Sequence, residues 1–132
     1  MADLDDEARA LLDGRNIAHV ATLMPDGGPH SVAVWIRREG ERVAVFTQES
    51  TQKARNLALD PRVAISIVDR ENPYRSLRLR GRVAERVTGD AALEIIDRLS
   101  DDYTGQPFPM RQGVVFLISP EHAATMTLPF RD

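Results

Sequence analysis

The chain has 132 residues, 42% of them hydrophobic and 28% charged, with a formal net charge of −3. That is the length of one domain (residues 1–132), long enough for a real core, and the acidic balance argues against a general nucleic-acid or membrane-surface binder, which needs a basic field. Cysteine is absent, which excludes disulfides, thiolate catalysis and zinc–thiolate sites and fits a reducing cytoplasm. The first residues, Met1-Ala2-Asp3-Leu4-Asp5-Asp6-Glu7, lack the basic segment and apolar run of a signal peptide. No apolar stretch approaches the roughly 20 residues of a membrane span. A cytoplasmic protein is expected, with neither membrane nor nucleic acid as a partner.

Residues 3–12 read as a helix: Leu4, Ala8 and Leu11 share a face, and Gly14 can cap the C-terminus. A strand is expected over 17–23. Pro25-Asp26-Gly27-Gly28 then supplies turn chemistry, proline presetting φ and glycine allowing φ > 0. The second strand, 29–38, completes a hairpin, and Glu39-Gly40-Glu41 turns the chain into a third at 42–47. A fourth strand covers 64–69. Past a turn at Glu71-Asn72-Pro73, a long fifth strand covers 74–87, with Arg75, Leu77, Leu79, Gly81 and Val83 as its core face and Gly81 at a bulge or bend. A second helix at 91–99 turns Ala92, Ile95, Ile96 and Leu99 to the core, capped by Thr88 or Asp90. A loop with two prolines follows at 103–110. The last strand is 114–118, and 120–126 is expected to form a short turn or helix. Six strands joined largely by hairpins, with helices between them, suggest an antiparallel barrel of mainly β (α+β) class, without excluding another α+β sheet.

The stretch between the third and fourth strands carries the chemistry. It reads Thr47-Gln48-Glu49-Ser50-Thr51-Gln52-Lys53-Ala54-Arg55-Asn56-Leu57-Ala58-Leu59-Asp60-Pro61-Arg62. Ser50 or Thr51 can cap a short helix, Ala54, Leu57 and Ala58 form its buried stripe, and Asp60-Pro61 ends it. Lys53 and Arg55 lie in its first half, although a cation there costs about 0.3–1 kcal/mol against the helix dipole. A hydroxyl cap, free N–H groups and two cations make an anion site, suited above all to phosphate. The alternative is a solvated helix with basic residues on its surface.

This arrangement (a strand, then Ser50-Thr51, Lys53 and Arg55-Asn56-Leu57, then Asp60-Pro61-Arg62-Val63) resembles the phosphate-binding segment of the pyridoxamine 5′-phosphate oxidase-like split β-barrels. It is most similar to the branch that uses the deazaflavin coenzyme F420 rather than FMN. Asp26-Gly27-Gly28-Pro29-His30, Val34-Trp35, Asp69, Asn72-Pro73-Tyr74-Arg75, Leu79-Arg80-Gly81-Arg82-Val83 and Tyr103-Thr104-Gly105 match in order and spacing, so the resemblance spans roughly residues 7–126. It implies a six-stranded antiparallel split β-barrel with short helices, of the FMN-binding type, forming a homodimer with two cofactor sites at the subunit interface. It places Lys53 on the cofactor phosphate and Thr47, Ser50, Thr51, Arg55 and Asn56 around that pocket. It sets Val32, Val34 and Trp35 beside the ring system, and it has Met110 and Arg111 reaching over from the partner subunit. The chain departs from the family pattern at Thr51, where relatives often carry a basic residue, and at Ala33, where many have proline. The first bears on phosphate affinity, the second on the wall near the ring.

A deazaflavin carries and delivers its hydride itself, so the protein need only bind, orient and exclude water. That fits a chain with no nucleophile elbow, no zinc-binding histidine pair and no Rossmann or P-loop glycine motif. His19, His30 and His122 are scattered; His30 reads as structural, and His19 as hydrogen-bonded or dimer-facing rather than a base. Trp35 reads as core or interface packing, with ring contact as the sharper alternative. Arg78, Arg80 and Arg82 form either a solvated strand face or a basic strip that attracts the anionic lactyl-oligoglutamate tail of the coenzyme. The expected function is F420-dependent hydride transfer to an electron-poor small molecule such as an enone, quinone or tetrapyrrole, without a metal. The alternatives are an FMN-dependent oxidoreductase or pyridoxamine phosphate oxidase-like enzyme, a non-catalytic F420 storage protein, and an interaction module without cofactor.

Overall fold

The structure is a computed structural model and describes residues 3–130. In chain order its elements are α1 (Asp6–Asp13), β1 (Ala18–Leu23), β2 (Pro29–Val34), β3 (Arg37–Glu39), β4 (Arg42–Thr47), α2 (Gln52–Leu59), β5 (Arg62–Asp69), β6 (Asn72–Val87), α3 (Gly89–Thr104) and β7 (Val114–Thr127). Local chemistry sets these bounds. Asp5 caps α1 by accepting the Ala8 N–H at 2.8 Å, and Asp6 and Glu7 occupy the first turn, where the helix dipole favours carboxylates. In β5, Val63, Ile65 and Ile67 turn inward while Ala64, Ser66 and Val68 stay exposed, the period-two pattern of a half-buried strand.

Every pairing is antiparallel, in the order β2-β1-β5-β6-β7-β4-β3. The two edge strands, β2 and β3, are separated in the chain by Trp35 and Ile36 alone. Seven flat strands spaced by about 4.8 Å would hold those edges roughly 29 Å apart, whereas the short link spans only about 10 Å. The sheet therefore curls until its edges face each other. No ladder joins β2 to β3 among the described residues, so the barrel stays split. Val20, Ile65, Leu77, Leu79, Phe116 and Ile118 fill its interior, joined by Leu11 and Leu12 of α1 and Leu57 of α2. On the outside, α3 lays Ala92, Ile95, Ile96 and Leu99 over Ala44 of β4 and Val115 of β7. The outward residues of β1, β5 and β6, including His19, Ser66, Val68, Arg78 and Arg80, are exposed instead. None of the described helices is long and apolar enough to cross a membrane.

The mainly β, antiparallel barrel class stands, with three corrections. The described residues form seven strands rather than six, because the expected strand 29–38 breaks at Trp35-Ile36. The Tyr103 hydroxyl explains the break: it accepts the Ile36 N–H at 3.2 Å and lies 3.1 Å from the Ile36 carbonyl, removing that residue from any ladder. Residues 120–126 continue β7 rather than forming a turn or helix. Pro120 has no N–H to donate, and a register shift at Arg80/Gly81 absorbs it. A Cβ at Gly81 would stand 2.3 Å from the Ser119 carbonyl oxygen, so the bulge expected there also demands glycine. Finally, α3 runs to Thr104, because its stop signal is Gly105 in the left-handed region (φ +75°), whose N–H reaches the Asp101 carbonyl at 2.9 Å. Thr88 stands at the N-cap of α3, but its side chain makes no cap hydrogen bond.

Candidate cofactor site

The segment 47–60 folds as its chemistry dictates. Thr51 is the N-cap of α2, accepting the Ala54 N–H at 3.2 Å. Its hydroxyl donates to the Gln48 carbonyl at 3.1 Å, which leaves the Thr47 hydroxyl as donor in the 2.8 Å contact between the two threonines. Thr47 thus supports the cap. Asn56 is buried: its amide donates to the Thr22 hydroxyl at 3.0 Å and accepts from Gln52 at 2.8 Å, tying α2 to β1. Arg55 is exposed and folds back onto the Ser50 carbonyl and Gln52. His30 faces Thr22 in the β1–β2 register, and its buried Nδ1 has no partner among the described residues.

Lys53 differs from the other cations among the described residues. It is the one lysine among seventeen basic residues, and only 5% of it is exposed. Its Nζ donates to the Phe46 carbonyl at 3.3 Å and meets no carboxylate among the described residues. Burial pushes its pKa down to about 8, since desolvation penalises the charged form. A buried ammonium with one long hydrogen bond lacks a counter-ion, and an anion delivered to it would be strongly held.

The residue that accepts from Lys53 also walls an apolar slot. Phe46, Trp35, Phe108, Ile17, Ala33 and Val34 enclose a volume of about 300 Å³. Trp35 stacks on Tyr103 at 5.3 Å with 13° between planes, and Phe108 meets Phe46 edge-on at 5.0 Å. Four of the seven aromatic residues gather here, enough to receive a flat ring.

Of the residues expected at the site, Lys53, Val34 and Trp35 are brought together around Phe46. Thr47, Thr51, Arg55 and Asn56 support α2. Val32 is half-buried on the inner side of β2, away from the slot. Ser50 lies with Arg111 in a separate cleft of about 490 Å³ beside the start of α3. Arg111 is engaged within its own chain: it donates to both Asp97 oxygens at 2.9 and 3.0 Å and to the Phe108 carbonyl at 2.8 Å, holding Asp97 below its usual carboxylate range. Met110 is 46% exposed and lines neither space. Sequence reasoning missed Phe46 and Phe108 as walls of the slot and Tyr103 as the ring that backs Trp35. The available signal was two aromatic residues, Tyr103 and Phe108, in a stretch otherwise rich in polar residues and proline.

The sequence pattern named "Pyridoxamine 5'-phosphate oxidase" matches residues 4–127, and the chain belongs to that family. Over 111 residues it is 32% identical to the F420H(2)-dependent biliverdin reductase of Mycobacterium tuberculosis (strain CDC 1551 / Oshkosh), covering 82% of this chain and 79% of that one. A solved F420 reductase superposes with a TM-score of 0.82 at 31% identity, covering 92% of this chain and 98% of its own. The conserved hypothetical protein Rv2991 of Mycobacterium tuberculosis shares the fold, with a TM-score of 0.82 at 23% identity over 100% of this chain and 92% of its own.

Proposed function

We propose that this protein is an F420-dependent reductase acting on a small electron-poor organic acceptor such as an enone, quinone or tetrapyrrole. The observation that carries it is Lys53: a sole, buried lysine without a counter-ion, joined through Phe46 to an aromatic slot. The relatives named for F420 reduction, at 31–32% identity, support the cofactor assignment. When bound, the reduced deazaflavin supplies the hydride. Lys53 holds the phosphate, assisted by the free N–H groups at the start of α2. Trp35, Phe46 and Phe108 receive the ring and exclude water. Thr51 and Asn56 keep α2, and with it the ammonium, in place.

A second copy belongs to this proposal. The outer sheet face that α3 leaves bare presents Ile17 at 46%, Val68 at 50% and Met126 at 46% exposure, which favours burial against a partner. The proposed state is a homodimer in a reducing cytoplasm, with Met110 and Arg111 at or near the interface.

One titration tests the function. Trp35 is the only tryptophan and lines the slot, so its emission reads occupancy directly. Saturable quenching by F420, lost in Lys53→Met, is the expected result. Tight binding of FMN instead would make the protein a flavin enzyme, and binding of neither would leave an interaction module. Oxidation of bound reduced F420 by biliverdin or another activated alkene then separates catalysis from storage.

A further inference from the structure

Phe108 reaches the aromatic slot from a stretch without regular structure. Residues 105–113, between α3 and β7, form neither helix nor strand, and from Gly105 to Gln112 Phe108 alone is not exposed. Pro107 and Pro109 flank it. Each fixes its own φ and holds the residue before it extended, so Phe108 sits in a stiff strut. The strut is anchored on α3. The Phe108 N–H donates to Asp97 Oδ1 at 3.2 Å. Arg111 donates to both Asp97 oxygens, at 2.9 and 3.0 Å, and to the Phe108 carbonyl at 2.8 Å. Both main-chain polar groups of Phe108 therefore end on one ion pair. The ring then stands edge-on to Phe46 at 5.0 Å and to Trp35 at 6.2 Å.

Magnitudes decide what this pair is for. An exposed ion pair adds little to the stability of a whole fold, and the buried core under α3 (Ala92, Ile95, Ile96 and Leu99 against Ala44 and Val115) closes without either residue. A segment with no ladder of its own opens at small cost, so there a small energy decides position. We infer that Asp97 and Arg111 are positioning residues: they hold Phe108 in place as a wall of the slot and thereby set its affinity for a flat ring. Neither residue lines the slot, so both act through Phe108. The effect on the ring rests on the slot reading above.

The first arm needs no cofactor. Trp35 is the only tryptophan, so acrylamide quenching of the full chain's emission reads how well Phe108 covers it. Asp97→Ala and Arg111→Ala should each raise the quenching constant roughly twofold, and the double variant no further, because both residues serve one clamp. The denaturation midpoint should move by less than about 4 °C. Glu85→Ala, which breaks the exposed pair Arg42–Glu85 at 3.1 Å, should leave the quenching constant unchanged. Phe108→Ala should raise it as the clamp variants do, and Asp97→Ala should add nothing in that background. Unchanged quenching in the clamp variants, an equal rise in Glu85→Ala, or a rise that follows a large fall in the midpoint overturns the inference. The second arm titrates F420. Asp97→Ala and Arg111→Ala should each weaken binding about fivefold, and neither should weaken it further once Phe108 is alanine. A further loss in that background would mean that the pair meets the ligand by another route, against the inference. If Phe108→Ala raises the quenching constant but leaves F420 binding unchanged, the slot is not the place of the ring; the slot reading then fails, while the clamp on Phe108 stands on the first arm.

Discussion

A lysine is an expensive cation to bury, and Lys53 is buried without a carboxylate. Unfolded, it titrates near 10.5; folded, near 8. Between those values the unfolded chain holds the extra proton, so stability rises with pH across about 8 to 10.5, and the penalty is fully present below 8. Its size is roughly 3 kcal/mol. Denaturant unfolding at pH 7, 9 and 10.5 should follow that rise, and a flat profile would mean that the ammonium is better solvated than its burial implies. Lys53→Met should remove the pH dependence and stabilise the protein by about 1–3 kcal/mol at pH 7 while abolishing phosphate affinity. F420 binding should weaken above pH 8, as the free site loses its proton. Gly81 is the opposite case. Alanine there drives a Cβ into the Ser119 carbonyl, and about 2–3 kcal/mol of stability should be lost, seen as a lower denaturation midpoint.

At the scale of elements, β4, α2 and β5 were legible because each is fixed by its own residues. Thr51 caps, Asp60-Pro61 stops, and Ala54 and Leu57 of the expected stripe face the core, whereas Ala58, expected with them, is exposed. Thr51→Ala should cost about 1 kcal/mol and weaken F420 binding in proportion to the fraying of the first turn; unchanged thermal stability would show that the Thr47 hydroxyl takes over the cap. The break in the second strand was not legible, since the hydroxyl that causes it comes from Tyr103, 67 residues away from Ile36. The extension of β7 was hidden for a similar reason: Pro120 signals an ending, and only the bulge against β6 lets the strand continue. The cation at the phosphate position was visible in the sequence. Its burial was not, because burial is set by the barrel around α2 rather than by the helix itself.

At the scale of the whole molecule, the bare sheet face and the phosphate lysine lie on different parts of one barrel, and the dimer should be measurable apart from the cofactor. Sedimentation should give a particle near twice 14.7 kDa for both the parent and Lys53→Met. A monomeric parent would remove the partner from the site. The two-residue link at Trp35-Ile36 has a consequence for the order of folding. Hairpins such as β1–β2 and β5–β6 close over short loops, but the clasp at the split needs Tyr103, whose hydroxyl donates to the Asn16 carbonyl at 2.6 Å across 87 residues. Long-range closures of this kind are slow to form. The ladders should therefore assemble before the two edges are brought face to face. In stopped-flow refolding, far-UV dichroism should recover first and the emission of Trp35 last, with Tyr103→Phe slowing that last step, so that the ligand slot is the final part of the molecule to come into existence.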